Sequence, residues 1–255
     1  RVADRIVAEP EIVPGDPREL DAYETLDLIS SVVDKVREAL VFETAVKALK
    51  WSPDLLIVDG PIIPYGALAK IVAKTRSEFE AWERYRRAVL KLHGEASSKS
   101  VDVIGFVKRP RTRLLAGRAG FRGFDHVYLS RELKPGEYAP DPPQRVAELK
   151  EYFHEPEVLE VVEKADLRFT YLRLTSSTPP FRVDFAHTAR DYRDVLAYLY
   201  RTRTREGVPY PVMKADEDTK ITRKLARELY EDILHTYAVE RARGDPEKLI
   251  PLLPE

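Results

Sequence analysis

Cysteine and asparagine are both absent from this 255-residue chain, and glutamine and methionine occur once each, as Gln144 and Met213. Without cysteine there is no disulfide, no thiolate nucleophile and no Cys-based metal site. No apolar run is long enough to cross a bilayer and no signal-peptide pattern is present, so a cytoplasmic location is expected. A formal net charge of -1 excludes a body coated in positive charge. Any contact with nucleic acid therefore has to come from local basic patches. Charged residues, by contrast, make up 33% of the chain and prolines number 19. Many charges and few thermolabile amides suit a hyperthermophile, although biased genomic composition leaves the same trace.

The length suits one large domain, residues 1–255. Asp16, Pro17 and Glu19 have the spacing of a helix start. Leu20, Tyr23, Ile29, Val33, Val36, Leu40 and Val46 continue it at helical spacing to about Leu49. Leu55 to Val58 is a continuous apolar run between Pro53 and Gly60, read as a buried strand. A second helix is expected from about Gly66 to His93, and a second buried strand from Val101 to Val107. Lys108 to Arg122 is basic and irregular, and Asp125 to Leu133 reads as a short helix. Arg145 to Phe153 and Glu157 to Lys164 read as two more. Leu167 to Leu174 and Phe181 to Phe185 are expected to form an antiparallel pair of strands. A helix over about Asp191–Arg201, a turn at Gly207–Pro211 and a long helix over Ile221–Arg241 complete the reading. The class is α/β, a mixed sheet flanked by helices with further helices at the C-terminal end.

Two acidic residues stand out. Asp59 follows the apolar run of the first strand and precedes Gly60. The carboxyl end of a buried strand is where α/β sheets place their sites, and glycine leaves room for a sharp turn. Capping of the next turn is the alternative reading of the same residue. Glu43 shares a helix face with Leu40 and Val46. A carboxylate on a packed face needs a partner, although Glu43 also suits the edge of that face. Lys108, Arg109, Arg111, Arg113, Arg118 and Arg122 follow the second strand directly. They form either a phosphate-binding surface or a solvated basic loop. Arg182 and Asp184 lie two apart on one strand face; with Tyr171 and Arg173 they are candidates to line a DNA channel. A cross-strand ion pair is the competing reading of Arg182 and Asp184.

The order of these pieces resembles the NurA family of archaeal DNA-repair nucleases. The resemblance rests on a late-helix glutamate, a strand ending in Asp59-Gly60, and Gly105-Phe106-Val107-Lys108-Arg109. Phe124-Asp125 and Leu133-Lys134-Pro135-Gly136-Glu137 follow. Tyr171-Leu172-Arg173-Leu174, Pro180-Phe181-Arg182-Val183-Asp184-Phe185 and Gly207-Val208-Pro209-Tyr210-Pro211 complete the series. It spans about residue 17 to residue 230. It implies an RNase H-like core and an acidic cluster binding Mn²⁺ or Mg²⁺, with Glu43 and Asp59 on two of the family's acidic positions. Carboxylate oxygens suit both ions. Two ions roughly 3.5–4 Å apart would stabilise the attacking and leaving oxygens of a phosphodiester, and Lys108 would neutralise developing charge.

The sequence departs from the family pattern in two places. Where the family carries an Ala-His pair after Tyr-Pro, this chain has Ala215-Asp216, making Asp216 the corresponding metal candidate. The family's opening strand with its own Asp-Gly has no match in residues 1–16, where Asp4 precedes Arg5. The expectation is that this strand precedes Arg1 or is lacking, and that the chain as given binds metal poorly. The resemblance further implies 5′-to-3′ exonuclease and single-strand endonuclease activity in double-strand break end resection. It also implies a homodimer and a hexameric HerA-type ATPase as partner. A non-cutting NurA-like subunit that scaffolds DNA or the ATPase is the rival expectation.

Overall fold

The structure is a computed structural model that describes residues 22–62, 75–146, 163–186 and 190–219, together with 227 and 231. The first helix, α1, runs Ala22–Ala48 and ends in a single tight turn, Leu49–Trp51. Its expected start at Asp16 lies outside the described residues. Ala39, Phe42, Ala45 and Leu49 recur at helical spacing and are buried. The second helix, α2, spans Arg76–Lys99. Thr75 caps it, its hydroxyl accepting from the Glu78 amide at 3.2 Å. Thr75 and Glu78 have the spacing of a capping box, a start signal later in the chain than the expected Gly66. Residues 63–74 lie outside the described set. The helix also passes His93 by almost two turns, because Gly94 is solvent-exposed while Ala96 is buried and still packs.

The five strands are β1 (Leu55–Asp59), β2 (Asp102–Val107), β3 (Tyr138–Arg145), β4 (Arg168–Leu172) and β5 (Phe181–Ala186). They form one sheet in the order β1-β2-β5-β4-β3. β1 and β2 run parallel, and β2–β5, β5–β4 and β4–β3 pair antiparallel. This is the expected mixed sheet, and β4 and β5 form the expected antiparallel pair. β3 was not legible as a strand. Pro140, Pro142 and Pro143 interrupt it, and its pairing with β4 shifts register between Ala139 and Gln144. An edge position tolerates this, since a missing proline N–H there breaks no inner ladder bond. Arg145, expected to open a helix, closes this strand; the rest of the two helices expected up to Lys164 falls almost wholly outside the described residues.

Strand alternation sorts the core into two layers. Val58, Val103, Phe169, Tyr171 and Ala186 join α1 and α2 in one cluster. Ile104, Phe106, Val183 and Phe185 join Val195, Leu196 and Leu199 in the other. These last three belong to α5, Tyr192–Arg201, capped by Asp191, whose carboxylate accepts from the Arg193 amide at 2.9 Å. Two short helices lie between β2 and β3: α3 (Leu114–Arg118), inside the stretch expected to be irregular, and α4 (Asp125–Glu132). The expected turn at Gly207–Pro211 leads into α6, Tyr210–Asp218, with Pro211 in the first turn, where its missing N–H is harmless. Residues 1–212 form one compact unit and 213–255 a second. The expected last helix lies outside the described residues apart from Arg227 and Glu231. Among the described residues no helix is long and apolar enough to cross a membrane.

Candidate nucleic-acid and catalytic site

Because β1 and β2 are parallel, their carboxyl ends emerge together. Asp59 is the last residue of β1 and lies in register with Phe106. The chain turns away at Gly60, whose amide donates to the Phe106 carbonyl at 3.0 Å and whose φ of 138° suits glycine. The segment that follows crosses the neighbouring strand at Gly105. A Cβ there would stand 2.6 Å from the Gly60 carbonyl oxygen and 2.8 Å from the Ile62 nitrogen. Glycine at 105 is thus what lets the Asp59-Gly60 turn lie flat on the sheet. Lys108, one residue past β2, donates from its ammonium to Asp59 Oδ2 at 2.8 Å. Both side chains keep solvent contact, at 32% and 39% exposure for Lys108 and Asp59. The two expected site residues are therefore brought together.

Glu43 is elsewhere. It lies on α1, and Arg84 of α2 grips it with a two-bond fork, Nε to Oε1 at 2.8 Å and Nη2 to Oε2 at 2.9 Å. The Arg84 guanidinium holds this carboxyl below the ordinary glutamate range, against a smaller opposing effect of desolvation. Alternation places Asp59 with Leu55 and Ile57, on the sheet face opposite the one α1 covers. Glu43 and Asp59 thus have different partners, Arg84 and Lys108. Asp216 sits on α6 in the second unit, exposed, and Asp218 beside it pairs with Lys214. Among the described residues no three His, Asp or Glu side chains are gathered closely enough to hold one metal ion. Asp59 is engaged by Lys108 and Glu43 by Arg84.

The basic segment is exposed where it matters. Arg109, Arg111, Arg113, Arg118 and Arg122 are all on the surface. The Arg113 guanidinium lies 4.8 Å from the Phe124 ring centroid, and Arg118 donates to Gln144 Oε1 at 3.1 Å. Residues 108–122 contain six cationic side chains and no acidic one, so the segment is a strong local source of positive potential on a nearly neutral chain.

Three expected channel residues have different places. Tyr171 is 0% exposed and Arg182 3%, so neither reaches a DNA strand while the core is closed. Arg182 forks onto Asp184 along the same strand, at 2.6 and 3.1 Å, and covers the Phe169 ring at 5.0 Å. A buried ion pair of this kind replaces the expected channel wall; it runs along β5 instead of across strands. Arg173 donates to four backbone carbonyls: Ser130 and Leu133, each at 2.6 Å, Thr175 at 3.2 Å and Ser176 at 3.0 Å. It ties the end of α4 to the exit of β4, where a cation also complements the helix C-terminus.

Sequence reasoning gave no role to Asp125 or Arg84. Asp125 is 0% exposed and accepts three hydrogen bonds, from the Leu114 amide (3.1 Å), the Ala116 amide (2.8 Å) and the Tyr171 hydroxyl (2.9 Å). Its one local signal was an acidic residue at a helix start. Arg84 had none, being 41 residues from Glu43 in sequence.

The architecture is that of an α/β protein with a mixed sheet, carrying a lysine-held aspartate and a basic segment at one sheet end. The sequence matches the NurA domain over residues 7–221, and the chain belongs to the NurA family. The NurA nuclease from Sulfolobus solfataricus has a similar structure, with a TM-score of 0.56 at 16% identity, covering 80% of this chain and 67% of that one. That likeness shows the shared fold. A NurA structure with manganese and a further NurA structure align with TM-scores of 0.38 and 0.35, at 17% and 14% identity. They cover 63% and 64% of this chain and 37% and 39% of theirs. No curated protein matches the sequence.

Proposed function

We propose that this chain is a DNA nuclease that hydrolyses phosphodiesters at the β1–β2 end of its sheet. The observation that carries this reading is Asp59, held by Lys108 where the basic segment leaves the sheet. The arginines and Lys108 bind the phosphate backbone by charge. Lys108, already 2.8 Å from the carboxylate, is placed to shift onto a phosphate oxygen and neutralise charge there. Mn²⁺ or Mg²⁺ is the cofactor class that carboxylate oxygens favour, and Asp59, Glu43 and Asp216 are the ligand candidates from sequence. For Glu43 that role requires release from Arg84. An RNase H-like core, a homodimer, a HerA-type ATPase partner and a place in end resection, with 5′-to-3′ exonuclease and single-strand endonuclease activity, belong to the same proposal.

The test is degradation of linear DNA by the full chain in Mn²⁺, in Mg²⁺ and in chelator, beside Asp59→Asn, Glu43→Gln and Lys108→Ala. Metal-dependent cutting is expected, with Asp59→Asn and Lys108→Ala each lowering the rate about 100-fold or more. Cutting by the chain at equal rates in all variants would remove this site. A second reading, a non-cutting subunit that binds DNA or an ATPase, is favoured by the full engagement of both Glu43 oxygens by Arg84. DNA binding without cutting under any ion would select it.

A further inference from the structure

A basic loop meets a regular phosphate ladder well only if its charges are held in a fixed arrangement, since each flexible side chain or loop residue ordered on binding costs free energy. In this chain the basic segment is pinned at its middle. The Asp125 amide donates to the Thr112 carbonyl at 2.9 Å. The Asp125 carboxylate takes the amides of Leu114 and Ala116, at 3.1 and 2.8 Å. Tyr171 reaches up from β4, its hydroxyl meeting both Asp125 Oδ2 at 2.9 Å and the Thr112 hydroxyl. Thr112 lies between Arg111 and Arg113, and Leu114 and Ala116 lie between Arg113 and Arg118, so the latch grips the backbone between the exposed arginines.

We propose that Asp125, with Tyr171 and Thr112, is a positioning group that fixes the basic segment in the shape that engages a phosphate backbone. This rests on the nucleic-acid reading above. The latch contributes no charge to the ligand, because Asp125 and Tyr171 are buried. It joins the loop to the central sheet, so that Lys108 at one end of the segment and Arg113, twelve residues before the α4 start, are held from one base. A carboxylate buried without donors would be costly; three donors on one side chain make the latch a single cooperative unit.

The test uses Tyr171→Phe, which removes the hydroxyl and keeps the ring, with Asp125→Asn as a second variant because Asp125→Ala risks misfolding. Two readouts are taken: the rate of tryptic cleavage at Arg111, Arg113 and Arg118, and the binding of a labelled DNA duplex against salt. Tyr171→Phe is expected to stay folded, to be cut faster within 108–122, and to bind several-fold more weakly. Its salt slope should be shallower by about one to two, as one or two phosphate contacts are lost. A folded Tyr171→Phe with unchanged cleavage and an unchanged slope overturns the proposal while leaving the nucleic-acid reading intact. Faster cleavage with unchanged binding overturns it too. Failure of the unmutated chain to bind DNA would overturn both readings.

Discussion

Glu43 and Asp59 are each held by one cation and both keep contact with water, whereas Asp184 is sealed in the core with Arg182. The difference decides what each pair is worth. Half-exposed pairs are screened and typically contribute no more than about 1 kcal/mol. The Glu43–Arg84 fork should follow that rule despite its geometry. A double-mutant cycle with Glu43→Gln and Arg84→Met, read by urea denaturation at neutral pH, is expected to give only a small favourable coupling. Because Arg84 holds the folded-state pKa of Glu43 below its unfolded value, the contribution is complete above the unfolded pKa. It fades as pH falls through the folded value, so the coupling should vanish in acid. A coupling that persists once Glu43 is protonated would mean that packing of the aliphatic stems, not charge, links the two helices. The anomaly of Glu43 was legible in sequence as a carboxylate beside apolar neighbours. Its partner was not, because a contact 41 residues away leaves no local pattern.

At the scale of elements, legibility tracked burial. β1, β2, β4 and β5 carry apolar runs because both faces of the sheet are covered, and all four were readable. β3 was hidden by its prolines, which only its edge position permits. Half of the candidate site was readable in the same way. Asp59 and Lys108 follow two adjacent apolar strands, so their proximity needs only that these strands pair in parallel. That Glu43 is paired with Arg84 depends on how α1 packs against α2, which periodicity does not state. Gly105 shows an element-level constraint invisible to patterning, since a glycine in a strand reads as a weakness. Gly105→Ala is expected to push the Gly60–Ile62 backbone off β2 and destabilise the fold by about 1–3 kcal/mol. It should also lower DNA cleavage more than a core change of equal cost, such as Val103→Ala, because it moves the turn bearing Asp59. Equal loss of stability with unchanged cleavage would separate Asp59 from the chemistry.

At the scale of the whole molecule, charges of the two signs nearly cancel. A net charge of -1 gives no long-range attraction to DNA. Affinity must come from the few cations that touch phosphates, and salt dependence counts them. If four of the six cationic side chains in 108–122 engage phosphates, the slope of log affinity against log salt is about -3.6, and binding weakens roughly 150-fold between 50 and 200 mM salt. Replacing Arg109, Arg111 and Arg113 together by alanine should flatten that slope by about three. The same triple change leaves Asp59, Lys108 and the latch on Asp125 in place, so the chain should remain folded and bind weakly but almost independently of salt. A steep slope surviving in the triple variant would locate the DNA on another surface. The basic segment would then be a solvated loop, and Asp59 would lack the neighbouring charges that bring a phosphate to it.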